Sequence, residues 1–216
     1  MKRLQHYVDL EKATDDEDVG DMYAGQSVLK EATLSMYDSD TNDLFARIEF
    51  PQLSLDFGYL NCPVFCMFML DWRNHVSHEL DGNTLKVSYQ FTKTQQQKLA
   101  NFGESALIIN NANEFVNRVK KGFLASGIPF VRKPVSYYDS NSVEQMKDVQ
   151  DDDYKVAFWK REKHSHQQEY RFMAGIEVDD HLKIDIGDIS DITTIVPTKK
   201  LLELTFDVNA TVAINE

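Results

Sequence analysis

Three polar side chains at alternate positions, Gln167, Glu169 and Arg171, stand where the chain turns apolar, within "KREKHSHQQEYRFMAG" (160–175). If this stretch is a strand, alternation puts all three on one face and Gln168, Tyr170 and Phe172 on the other. Tyr170 and Phe172 suit a core, which turns the Gln/Glu/Arg row toward a cleft or solvent. A carboxylate on a rigid strand can stabilise a developing oxocarbenium ion or hold a ribose hydroxyl. A glutamine two residues earlier on that face can orient an incoming nucleophile. A structural reading competes, in which Glu169 and Arg171 form cross-strand salt bridges. Exposed pairs of that kind contribute only about 0–1 kcal/mol, so stability alone is a weak reason for them.

Gln167-x-Glu169 resembles the [Gln/Glu]-x-Glu element of ADP-ribosyltransferases. That resemblance implies that Glu169 acts in cleavage of the nicotinamide–ribose bond of NAD, with Gln167 as positioner. It also implies phosphate contacts, for which Lys160 and Arg171 are the candidates. The early-strand Arg or His of such enzymes corresponds to Arg3 or His6, with Tyr7 nearby. The chain departs from that pattern in the middle: no Ser-Thr-Ser is present, and Ser88 in "VSYQF" is a candidate by location only. Three blocks, "FWKREKHSHQQEYRFM", "FGESALIINNANEFVNRVKKG" and "IDIGDISDI", resemble a family of uncharacterised bacterial and phage proteins. There a Phe-x-Lys element precedes [Glu/Gln]-x-Glu-aromatic-Arg.

Other reactive side chains fit poorer patterns. His164 and His166, and His75 and His78, form close pairs without an acidic or cysteine partner in a metal-site spacing, so they read as surface histidines and no metal is expected. Cys62 and Cys66 in "NCPVFCMFML" read as buried thiols of the core. Walker, G-x-G-x-x-G and G-x-S-x-G motifs are absent from the sequence. "DIGDISDI" lacks EF-hand spacing and reads as a strand end and turn.

The elements that must position these residues are legible in part. Asn111 followed by Glu114, then Phe115, Val119 and Phe123, is a capping-box start with helical apolar spacing. Gly127 is its stop, which predicts a helix near 112–125. "TKTQQQKLANFG" suits a short helix stopped at Gly103. "LFARIEF", "PVFCMFML" and "SALIIN" read as strands, the second covered on both faces. "DVGDMYAGQ" reads as an ordered turn and "IPFVRKPVSYYD" as an extended segment. "YKVAFWKRE" fits a short helix or a strand. "QEYRFMAG" (a strand over 168–174), "LKIDIG", "TTIVP" and "LLELTFDV" read as short β-rich pieces. The expectation is one compact α+β domain over 1–216 with a substantially antiparallel sheet.

Hydrophobic residues make up 42% of the 216, enough for a full core. No run reaches the roughly 18 apolar residues of a membrane helix. "MKRLQHYVDLEK" has no apolar stretch behind its basic residues and does not fit a secretory signal, so a cytoplasmic protein is expected. The formal charge of −12 disfavours generic nucleic-acid binding. It is unevenly spread. "DLEKATDDEDVGD" holds seven acidic residues against one lysine, whereas 116–133 holds five basic residues and no acidic one. Two functional classes follow: an ADP-ribosyltransferase-like protein using NAD or a related nucleotide, or an acidic non-catalytic binding protein. The second, for instance a phage-encoded inhibitor of a bacterial defence factor, would take a basic protein surface through clusters such as Asp15–Asp18 and Asp151–Asp153.

Overall fold

The computed structural model describes residues 1–14, 20–71, 76–139 and 153–211. In chain order these form β1 (Lys2–Arg3), α1 (Leu4–Thr14), β2 (Gln26–Tyr37), β3 (Leu44–Asp56), β4 (Pro63–Phe68), β5 (Val76–Asp81) and β6 (Thr84–Gln90). Next come α2 (Lys93–Leu99), β7 (Ser105–Ile109), α3 (Ala112–Ser126), β8 (Phe130–Pro134), β9 (Ser136–Tyr138) and β10 (Trp159–Arg161). β11 (Glu169–Ala174), β12 (Thr193–Pro197), α4 (Thr198–Leu202) and β13 (Thr205–Thr211) complete the set. The class is α+β with several antiparallel sheets. β1, β4, β11 and β8 are neighbours in that order in a four-stranded sheet.

The chain divides into two units, Met1–Phe65 with Val131–Ser165 and Arg171–Leu182, and Cys66–Phe130 with His166–Tyr170 and Lys183–Glu216. Neither is a continuous stretch, so no linker composition marks them in the sequence.

In the first unit, α1 buries Leu4, Val8 and Glu11, a single face at helical spacing. The turn after it runs tight against the helix. A Cβ on Gly20 would lie 2.6 Å from both Tyr7 O and Glu11 N, which only glycine avoids. β2 and β3 form a long antiparallel pair, and β9 and β10 a short parallel one. Tyr138, Val156 and Trp159 make a core cluster with Phe57 and Tyr59 against it.

In the second unit, β5, β6 and β13 form an antiparallel sheet, and β7 pairs with β12. Tyr89, Phe91 and Leu202 are buried at its centre. α3 begins and ends as its caps dictate. Asn111 accepts from Glu114 N at 3.0 Å, and Gly127 adopts a left-handed φ of 66°. Phe115, Val119 and Phe123 form its buried stripe.

Several expectations need correction. "LKIDIG" forms no strand; its alternating Ile184 and Ile186 lie over Gly122 of α3, where a Cβ would meet Asp185 O at 2.4 Å. The period-two pattern is satisfied by a helix face instead of a ladder. β4 is not covered on both faces, since Phe65 is 42% exposed. Cys62 is buried, its thiol pKa raised by that burial, but Cys66 is only half-buried. "LLELTFDV" splits between the end of α4 and β13. α1 and the full length of β2 carried no clear signal.

Candidate functional site

The opening stretch folds as a 3-10 turn over Glu162–Gln167 that delivers the chain into β11. Gln168, between them, holds a φ of +39°, an unusual backbone for a residue other than glycine. It is held there by its neighbours in the second unit. Gln168 O accepts from Met69 N at 2.8 Å, and Gln168 Oε1 accepts from the Tyr89 hydroxyl at 3.1 Å. That hydroxyl also lies 3.4 Å from Gln95 Oε1, and Gln95 Nε2 donates to His166 O at 3.4 Å. Gln95 is the third helical residue of a capping box: Thr92 N donates to its Oε1 at 2.9 Å. A helix cap thus doubles as a buried scaffold. Burial raises the pKa of Tyr89, which keeps it a donor.

This network fixes the residues on either side of Gln168. Gln167 and Glu169, 7% and 6% exposed, line a cavity of about 290 Å³ whose other walls include Phe68, Phe91, Leu99 and Phe102. Polar side chains in the wall of a largely apolar cavity fix a ligand's orientation while the apolar walls supply its affinity. A carboxylate here acts through low-polarity surroundings, where its field is stronger than in water.

The rest of the expected row does not share that position. Arg171, 2% exposed, belongs to the first unit, where its Nη1 donates to the Ala157 carbonyl; it holds the core rather than facing solvent. Tyr170 is half-buried, and Phe172 is in the core as expected. Lys160, in β10, is also buried and in the first unit. Arg3 donates to Asn61 Oδ1 at 3.3 Å in that unit, and His6 meets Tyr7 edge to face at 5.4 Å between ring centroids. Gln167 and Glu169 are in the second unit. Ser88, in β6, contacts Asp207 through its hydroxyl.

The histidines are corrected more sharply. His164 is 0% and His166 8% exposed, because the 3-10 turn that carries them exposes Glu162 and Lys163 and turns the histidines inward. His78 is exposed, and His75 lies outside the described residues. His164 joins a cluster that sequence reasoning missed. Its Nε2 is 3.7 Å from Asp21 Oδ1, and ligand-type atoms of Glu11, Asp21 and His164 lie within 4.8 Å of one another. Those three residues are of the types that hold a divalent cation. Arg161 already compensates the carboxylates: its Nη2 is 2.9 Å from Asp21 Oδ1 and 3.3 Å from Glu11 Oε2. Glu11 also accepts from Met22 N at 2.6 Å, and the guanidinium lies 4.7 Å from the centre of the Tyr23 ring. The cluster therefore works as a buried ion-pair lock between α1, the Asp21 turn and β10. Beside it, a cavity of about 320 Å³ with mixed polar and apolar walls is lined by Tyr23, Lys30, Gln52, Tyr138, Arg161 and Lys163, among others. The tight turn at Asp21 was the one legible signal, since Glu11 and Arg161 are 150 residues apart.

Among the described residues the fold is α+β and carries a largely apolar cavity and a buried ionic cluster. No protein-family model matches the chain, and comparison with curated proteins and with solved structures finds no match.

Proposed function

We propose that the cavity of the second unit is a small-molecule site, and that its ligand is the nicotinamide end of NAD or of a related nucleotide. One observation carries this: Gln167 and Glu169, two residues apart and nearly buried, line one largely apolar cavity. At about 290 Å³ the cavity is at the small end for ligand sites, suited to one flat ring with a carboxamide, not to a whole dinucleotide. The aromatic walls take the ring, and Gln167 and Glu169 stand beside its bond to the ribose. On the resemblance to ADP-ribosyltransferases, Glu169 then stabilises positive charge on the ribose as the nicotinamide leaves. Lys160, Arg171, Arg3, His6 and Tyr7 are not needed for binding this fragment.

Thermal denaturation with nicotinamide, NAD and ADP-ribose tests the proposal. A ligand at about 100 times its dissociation constant stabilises the fold by roughly 2.7 kcal/mol if it binds only the native state. Nicotinamide and NAD should shift the transition, and Glu169→Ala, which deletes the side-chain contact, should weaken both shifts. No shift with any of the three removes the proposal.

The net charge of −12 supports a second reading, a non-catalytic protein that binds a basic protein surface, such as an inhibitor of a bacterial defence factor. Asp15–Asp18, Asp151 and Asp152 lie outside the described residues. Asp153 is described, and its carboxylate accepts from the Tyr59 hydroxyl at 2.6 Å.

A further inference from the structure

β2 and β3 change character halfway along. At the base of β2, Ser27 and Val28 are 0% and 2% exposed, but no residue of β2 beyond Val28 is buried, and β3 has only half-buried and exposed residues. The change falls at a kink. Glu31 has a φ of +52° and no registered partner, and Pro51, where that partner would stand, has no N–H to give the ladder. The register then places Ala32 opposite Phe50, Leu34 opposite Ile48 and Met36 opposite Ala46. Opposed residues share a face, so these six make one apolar face. Thr33 opposite Glu49 and Ser35 opposite Arg47 make the other, polar one. Between Met36 and Tyr37 the register shifts, and Phe45 is left over as the extra residue, 82% exposed. Leu34 and Ile48 are 46% and 42% exposed.

Among the described residues none buries either face of this distal ribbon; a two-stranded ribbon by itself is marginal in water, and an apolar face with a polar rim is the usual mark of an interaction surface. The tip beyond it, 38–43, carries Asp38, Asp40 and Asp43 and no basic residue. It is ordered: Asp38 Oδ1 accepts from Asp40 N and Thr41 N, both at 2.9 Å, and those bonds lower its pKa. A second copy of the chain is disfavoured as the occupant, because each copy carries −12.

We propose that this distal ribbon is a docking arm for a protein surface with an apolar cleft flanked by Lys and Arg. Leu34, Met36, Ile48 and Phe45 fill the cleft and set the lifetime of the complex. The aspartates of the tip steer the encounter and meet the cations at its rim. Order already present in the tip lowers the cost of binding. The proposal is independent of the cavity and rests on the acidic-binding reading only for the sign of the partner.

The test uses the full chain and three synthetic peptides: alternating Lys and Leu, alternating Lys and Ser, and alternating Glu and Leu. The Lys–Leu peptide should bind best, and more weakly as salt rises. Phe45→Ser, or Leu34→Thr with Ile48→Thr, should each weaken it at least about tenfold, and Asp40→Asn with Asp43→Asn should slow association at low salt. The exposed Phe45 can be replaced without touching a core, and melting curves check that the threonine pair is folded. No preference for Lys–Leu over the other peptides overturns the acidic-binding reading. Binding that ignores the arm replacements overturns the arm while leaving that reading in place. A dimer of the chain, or adsorption to lipid vesicles, that the same replacements abolish would overturn the basic protein partner.

Discussion

The Tyr89 hydroxyl donates to Gln168 Oε1 across 79 residues of sequence, and both side chains are buried. The bond pins the one residue of the 167–169 stretch whose backbone is left-handed, and so orients its two neighbours along the cavity. Tyr89→Phe keeps the ring and deletes the donor. It should cost about 1–3 kcal/mol, the range for depriving a buried acceptor of its partner. Denaturant unfolding measures this, and ligand affinity at the cavity should fall with it. A loss below about 0.5 kcal/mol would mean that Gln168 is held by its main chain alone.

Glu169→Gln preserves shape and hydrogen bonding but removes a charge whose effect is largest in the transition state. Nicotinamide release from NAD should fall by about 10²–10³, with nucleotide binding changed less. Gln167→Ala should chiefly damage transfer to an acceptor and leave some NAD hydrolysis. Equal rates in wild type and Glu169→Gln would remove Glu169 from the chemistry.

Arg161→Met leaves the buried Asp21 without its guanidinium and Glu11 with Lys163, 3.5 Å away, as its remaining cation, and should destabilise by about 3 kcal/mol. Adding Glu11→Gln and Asp21→Asn should recover much of that loss. Arg161→Ala, which also vacates space, should become more stable with added zinc or manganese, while wild type should not respond. Stabilisation of wild type by metal would show that the guanidinium yields to a cation.

Burial raises the Tyr138 pKa from 10.0 to about 12. The unfolded chain therefore releases this proton first as pH rises, so stability is intact below about pH 10 and falls between 10 and 12. The expected contribution is of order 2 kcal/mol. Tyr138→Phe should flatten that part of the stability profile relative to wild type. Parallel profiles for the two proteins over this window would refute the assignment.

What the sequence determined by itself was local. The Asn111 cap, the spacing of Phe115, Val119 and Phe123, and the Gly127 stop lie within a few turns of one another, and α3 follows them closely. Alternation after Gln167 likewise marked β11. Tertiary structure decided the rest, because burial is a property of what comes to lie alongside. Ile184 and Ile186 alternate like a strand yet rest on a helix whose glycine admits them. His164 looks like a surface residue until Asp21 and Arg161 close around it. Arg171 shares a strand with Glu169, but its guanidinium serves a core carbonyl while Glu169 lines a cavity. Alternation fixes which face a side chain takes; only the partners brought from distant parts of the chain fix whether that face is a core, a cavity or water.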